Sequence, residues 1–140
     1  MEINIDATGT IAGRLATYAA KQALLGHTVN IFNSEKAIIS GSPELVRKKY
    51  HYLRADMGKP QKGPFVSRLP DRFLRRMIRN MVGYKTPRGG EAFKRIMCYI
   101  GVPTQHQNKK LERVGKTAKE LPTLRYQTIG ELCRAIGGKV

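Results

Sequence analysis

Three stretches of this 140-residue sequence predict an α/β fold. The run Glu2-Ile3-Asn4-Ile5-Asp6-Ala7 alternates apolar and polar residues as a half-buried strand does, and Thr8-Gly9-Thr10 then turns the chain into an alanine-rich helical pattern. "HTVNIF" at 27–32 reads as a second strand directly after that helix. "RIMCYIG" at 95–101 is almost continuously apolar from Ile96 to Ile100, the pattern of a strand buried on both faces in a parallel sheet.

The elements follow in order. From Ile11 to Leu25, apolar residues recur at 11, 12, 15, 16, 19, 20, 23 and 24, a broad helical face, while Arg14, Thr17, Tyr18 and Lys21 take the opposite stripe. The small alanines let this helix lie close on a sheet, and Gly26 supplies a C-terminal stop. "AIIS" at 37–40 predicts a short third strand. At Ser42-Pro43 the serine can cap a helix while the proline takes its first position without losing a hydrogen bond. That helix is expected to run to about Arg54 and to carry Arg47, Lys48 and Lys49.

Residues 56–70 hold prolines at 60, 64 and 70 and glycines at 58 and 63, which predicts a long loop carrying Lys59, Lys62 and Arg68. Loops of this length tend to be functional. Between Pro70 and Gly83 the spacing predicts a helix with Phe73, Leu74, Met77, Ile78 and Met81 on one side. Arg72, Arg76 and Arg79 fall at i, i+4 and i+7 on the other, with Arg75 beside them. "YKTPRGG" at 84–90 reads as a flexible basic turn. Beyond Val102 the pattern weakens: 105–121 reads as an extended basic arm or short helices, and 128–138 as a short final helix with Ile129, Leu132, Cys133 and Ile136 on one face.

Charge points to the partner. The chain carries 26 Lys and Arg against 10 Asp and Glu, a formal +16. Residues 1–46 have a net charge of −1, residues 47–95 of +12 and residues 96–140 of +5. A domain with such a surplus repels itself unless a polyanion neutralises it, so nucleic acid is the expected partner. No apolar run of 18 residues and no basic amphipathic helix with an aromatic face suggests a membrane partner. The start lacks a signal-peptide pattern, which predicts a cytoplasmic protein. One domain is expected, with an α/β core at 1–103, a cationic helix and loops at 47–95, and a basic C-terminal extension at 104–140.

Catalytic and cofactor templates fail. Strand, glycine turn and helix open both dinucleotide folds and P-loops, but only Gly9 and Gly13 are present and Arg14 stands where a P-loop needs lysine. A nucleotide- or phosphate-binding enzyme using the Gly9 turn is the alternative reading, and a tight structural turn is the preferred one. His27, His51 and His106 lie in separate segments, and Cys98 and Cys133 are expected as core thiols, so no metal, cofactor, catalytic residue or small-molecule substrate is expected. The arginine run differs from an ordinary solvated face, which mixes signs: Arg68 to Arg88 holds seven cations and one acid, Asp71. Arginine forks suit phosphate oxygens and stack on unpaired bases. No helix-turn-helix, zinc finger or aromatic single-strand motif is present, which favours a folded RNA bound by shape and phosphate contacts.

"IDATGTIAGRLA" at 5–16, "VNIFNSEKAIISG" at 29–41, "RLPDRFLRRMIRNMV" at 68–82 and "KTPRGGEAFKRIMCYIGVP" at 85–103 together resemble the large-subunit ribosomal protein L-thirteen family, in its archaeal form. The connection Gly26-His27-Thr28 lacks the longer bacterial insertion at that point. The resemblance implies a three-layer α/β/α sandwich around a small, mainly parallel sheet. It also implies residence in the large ribosomal subunit, contacts with large-subunit rRNA and neighbouring subunit proteins, and a part in subunit assembly. By position, it assigns rRNA contacts to Arg14, Asn33 and Lys36, to Arg72, Arg75, Arg76 and Arg79, and to Lys85 and Arg88; Arg68 of the long basic loop is expected to join them.

Overall fold

The computed structural model describes residues 1–115 and 117–139; Lys116 and Val140, both in the expected extension, lie outside them. The first strand, β1 (Glu2–Asp6), leads through the Gly9 turn into helix α1 (Ala12–Leu24) and strand β2 (Thr28–Phe32). After a 3-10 turn at Ser34–Lys36 come β3 (Ile38–Ser40) and α2 (Pro43–His51), whose last turn widens into a π-helical turn at Tyr52–Asp56. Helices α3 (Pro70–Met81) and α4 (Pro87–Lys94) lead to β4 (Ile96–Cys98), and β5 (Tyr126–Thr128) runs into α5 (Ile129–Ala135).

β1, β2 and β4 form a parallel sheet in that order. Both crossovers step in the same direction, so their right-handed sense puts the connecting helices on one face. The register sets Ile3, Val29 and Ile96 side by side and, one pleat on, Ile5, Ile31 and Cys98. This apolar face meets Leu15, Ala16 and Ala19 of α1 and Leu74 and Ile78 of α3 in one buried core. The alanine stripe of α1 is buried as its spacing predicts, and it lets α3 pack directly alongside.

The expected α/β sandwich around a small, mainly parallel sheet is thus the architecture, with unequal layers. Opposite the helices, the sheet carries Asn4, Asn30 and Phe32, and the chain from Tyr99 onward folds back against it. Phe32 stacks on Tyr99 at 5.3 Å between ring centres and meets the His106 ring at 5.1 Å. Glu112 then pairs with the free edge of β1 by accepting from Asp6 N–H and donating to the Asn4 carbonyl, each at 2.9 Å.

The expected short third strand is present and lies outside the parallel sheet: β3 pairs antiparallel with β5, Ile39 opposite Gln127. Three expectations need correction. β4 is not buried on both faces, because strand order puts it at an edge and leaves Met97 exposed. "TPRGG" is no flexible turn but the start of α4, where the Thr86 hydroxyl accepts from Gly89 N–H and Pro87 fills the first position. Ser42 sits at the start of α2 without a side-chain capping bond.

Candidate nucleic-acid interface

The cationic face is built on α3. Its apolar side buries Phe73, Leu74 and Ile78, while Met81 at the end of the expected stripe stays exposed. That anchoring turns Arg72 and Arg76 outward, with Arg75 and Arg79 half-buried beside them. Arg72, Arg75, Arg76 and Arg79 line one shallow groove with Phe93 of α4.

The four arginines divide by what they touch. Arg75 points inward: its Nε donates to the Ile96 carbonyl at 2.9 Å, a terminal nitrogen donates to the Phe93 carbonyl at 3.2 Å, and its guanidinium lies 4.0 Å from the Phe93 ring centre. Arg79 lies over the Tyr84 ring at 4.5 Å. Arg72 and Arg76 are exposed, and among the described residues neither guanidinium has a hydrogen-bond or ion-pair partner. Among the described residues ion pairs join Lys48 to Glu44, Lys109 to Glu2 and Arg113 to Asp6, and the His51 imidazole lies 3.9 Å from Asp56; none of these contacts uses an α3 arginine.

Two adjoining hollows extend the groove. One shares Arg76 and adds Lys62 from the long loop; the other shares Phe65 and Val66 with it and adds Arg54 and Arg68. Arg54 donates to the Val66 carbonyl and so holds the loop against the end of α2. Partial burial, and after it the Arg68 charge, lower the Arg54 pKa. Arg54 escaped the sequence reading because it follows a helix with no distinctive spacing. Lys62 was visible only as one cation of the Pro/Gly-rich loop.

The remaining candidates lie elsewhere. Lys85 is exposed beyond α3, and Arg88 reaches the Leu24 carbonyl at 3.4 Å, beside Lys21 in a separate groove at the end of α1. Arg14 and Lys36 are exposed on the segments that leave the C-terminal ends of β1 and β2. Asn33 beside them is engaged internally: at φ 57° it turns the chain, and its amide donates to Asp6 Oδ1 at 3.0 Å. Burial alone would raise the Asp6 pKa; the bonds from Asn33 and Thr8 and the Arg113 charge outweigh it and hold the carboxyl below its usual value. The expected set therefore separates into one groove, with Arg72, Arg75, Arg76 and Arg79, a nearby hollow with Arg68, and two outlying groups.

The Gly9 turn is stitched into the fold. Gly9 N–H donates to the Lys36 carbonyl at 3.0 Å, and its own carbonyl accepts from Ala118 N–H at 2.8 Å. With its amide occupied, the turn lacks the free N–H array that a phosphate cradle needs. Burial pushes the Cys98 thiol up to about 12 and the Cys133 thiol up to about 11, so both stay protonated at neutral pH. Among the described residues no three His, Cys, Asp or Glu side chains converge where a metal ion could sit, and no helix is long and apolar enough to cross a membrane.

Residues 1–105 match the family model described as Ribosomal protein L13. The chain is 41% identical over 136 residues to the large ribosomal subunit protein uL13 of Methanococcoides burtonii, covering 96% of this chain and 97% of that one. It is 41% identical over 138 residues to the protein of the same description from Methanocaldococcus jannaschii, with the same coverage. The Methanopyrus kandleri protein of that description is 41% identical over 136 residues, covering 95% of this chain and 85% of that one.

Proposed function

Because this chain belongs to the Ribosomal protein L13 family, a family of ribosomal proteins and not of enzymes, we propose that it is a structural constituent of the large ribosomal subunit. In this reading it binds large-subunit rRNA through the α3 groove and braces it during subunit assembly, alongside neighbouring subunit proteins. The observation that carries the reading is the pair Arg72 and Arg76, mounted one helical turn apart on the exposed face of α3 and unmatched by any carboxylate among the described residues.

The mechanism is electrostatic and geometric. Arg75 locks α3 to the corner between α4 and β4, and Arg79 rests on Tyr84, so the groove is preformed. Arg72 and Arg76 then present flat donor forks to phosphate oxygens, with Arg68, Arg54 and Lys62 continuing the track along the loop. Each neutralised phosphate releases counterions, which makes binding salt-dependent. Arg14, Lys36, Lys85 and Arg88 serve as outlying phosphate contacts, whereas Asn33 shapes the turn that carries Lys36.

Arg72→Glu combined with Arg76→Glu is expected to weaken binding to structured large-subunit rRNA by at least about tenfold. It should also reduce the slope of log affinity against log salt by about two. Filter binding across a salt series measures both, and circular dichroism checks the fold. A folded double variant with wild-type affinity and slope refutes the α3 surface.

A further inference from the structure

Beside the arginine groove, between α3, the end of α2 and the loop at 57–69, lies a cavity of about 430 Å³, within the size range of small-molecule pockets. Its walls include Tyr50, Phe65 and Phe73, and its rim carries Lys62, Ser67 and Arg76. Tyr50 and Phe73 meet edge to face, with ring centres 5.2 Å apart and planes at 63°. Phe65 joins them from the loop, 55% exposed, a large aromatic ring only partly covered by the protein's own packing.

Chemistry and position together select an occupant. The pocket combines three aromatic rings with two exposed cations, Lys62 and Arg76, and among the described residues no carboxylate lines it. Arg76 belongs both to this rim and to the α3 groove, so a strand following the groove passes the pocket entrance. The Ser67 hydroxyl oxygen accepts from Leu69 N–H at 3.2 Å and keeps its own proton to donate. The Tyr50 hydroxyl is also a donor at neutral pH, and burial raises its pKa further. A flat, apolar-faced group with acceptors on its edge and an anion at its attachment point matches every part of this description. An unpaired nucleotide is such a group, and unpaired bases are commonly held between aromatic side chains.

We propose that this pocket receives one unstacked nucleobase of the bound RNA, with Arg76 and Lys62 holding the adjoining phosphate. The proposal rests on the reading of α3 as the RNA face and extends it from phosphate contact to base recognition. Protein partners are disfavoured as occupants, because an apolar side chain needs neither rim cation and an acidic one gains nothing from the aromatic walls.

The test uses the full-length protein and a labelled single-stranded RNA about ten nucleotides long, compared with the same strand carrying abasic residues at alternate positions. Both strands have the same charge. The intact strand is expected to bind about tenfold more tightly. Phe65→Ala, an exposed position that should leave the circular dichroism spectrum unchanged, is expected to shrink that gap to less than about twofold without altering the salt slope. Arg72→Glu, outside the pocket, should weaken both strands alike. Equal binding of the two strands to the wild-type protein, or a gap that survives Phe65→Ala, overturns the base pocket even where Arg72→Glu still weakens both. If the gap closes with Phe65→Ala but Arg72→Glu changes neither strand, the pocket stands and the α3 reading fails.

Discussion

A Cβ placed on Gly89 would sit 2.0 Å from the Gly83 carbonyl oxygen and 2.5 Å from that of Val82. The first turn of α4 approaches the end of α3 that closely only because the residue is glycine. The clash is with backbone, which cannot swing aside as a flexible side chain would. Gly89→Ala is therefore expected to destabilise the protein by about 3 kcal/mol, at the upper end of overpacking effects. It should appear as a lower urea midpoint at unchanged slope. Arg75 shows the converse at the same scale: a residue that looks like one more surface cation in the sequence is held by two backbone carbonyls and a ring. Neither role is visible locally, because the partners lie in segments that only the fold brings together.

At the scale of elements, helix starts that look alike in sequence differ in energy. Ser42-Pro43 and Thr86-Pro87 both place a hydroxyl before a proline. The Thr86 hydroxyl accepts from Gly89 N–H at 3.1 Å and bonds the Gly83 carbonyl at 2.9 Å, whereas Ser42 makes no capping bond. Thr86→Ala is expected to cost about 1 kcal/mol and Ser42→Ala less than about 0.3 kcal/mol in chemical denaturation. Equal losses would refute this distinction between the caps. The long helices α1 and α3 were legible because strong periodicity survives any neighbourhood. α4 was hidden by its paired glycines, which signal a turn locally but serve close packing here. β4 misled in the opposite way, since its apolar run does not reveal that one neighbouring strand is missing.

For the whole molecule, the segment after Pro103 completes the core. Ile129, Leu132 and Cys133 are fully buried in it, Glu112 pairs with the edge of β1, and Ala118 bonds the Gly9 turn. Each large apolar side chain buried in this way contributes about 1.5–3 kcal/mol, against a total stability of about 5–15 kcal/mol for a typical domain. A chain ending at Pro103 is accordingly expected to lose its cooperative thermal transition and its near-ultraviolet circular dichroism. A truncated chain melting cooperatively near the full-length midpoint would contradict this. The charge distribution acts on the same scale: the net +12 of residues 47–95 rests on a frame held together by both ends of the sequence.

The sequence by itself determined the α/β class, the main helices, the strands of the parallel sheet and the presence of a cationic face. Those properties are written in windows of a few residues, as periodicity, alternation and charge. Tertiary structure alone decided that β3 pairs with β5, that Arg75 turns inward while Arg72 and Arg76 remain open, and that Arg76 stands at the mouth of an aromatic pocket. Such facts depend on which distant segment returns to lie beside a residue, and a window of local sequence carries no record of that return.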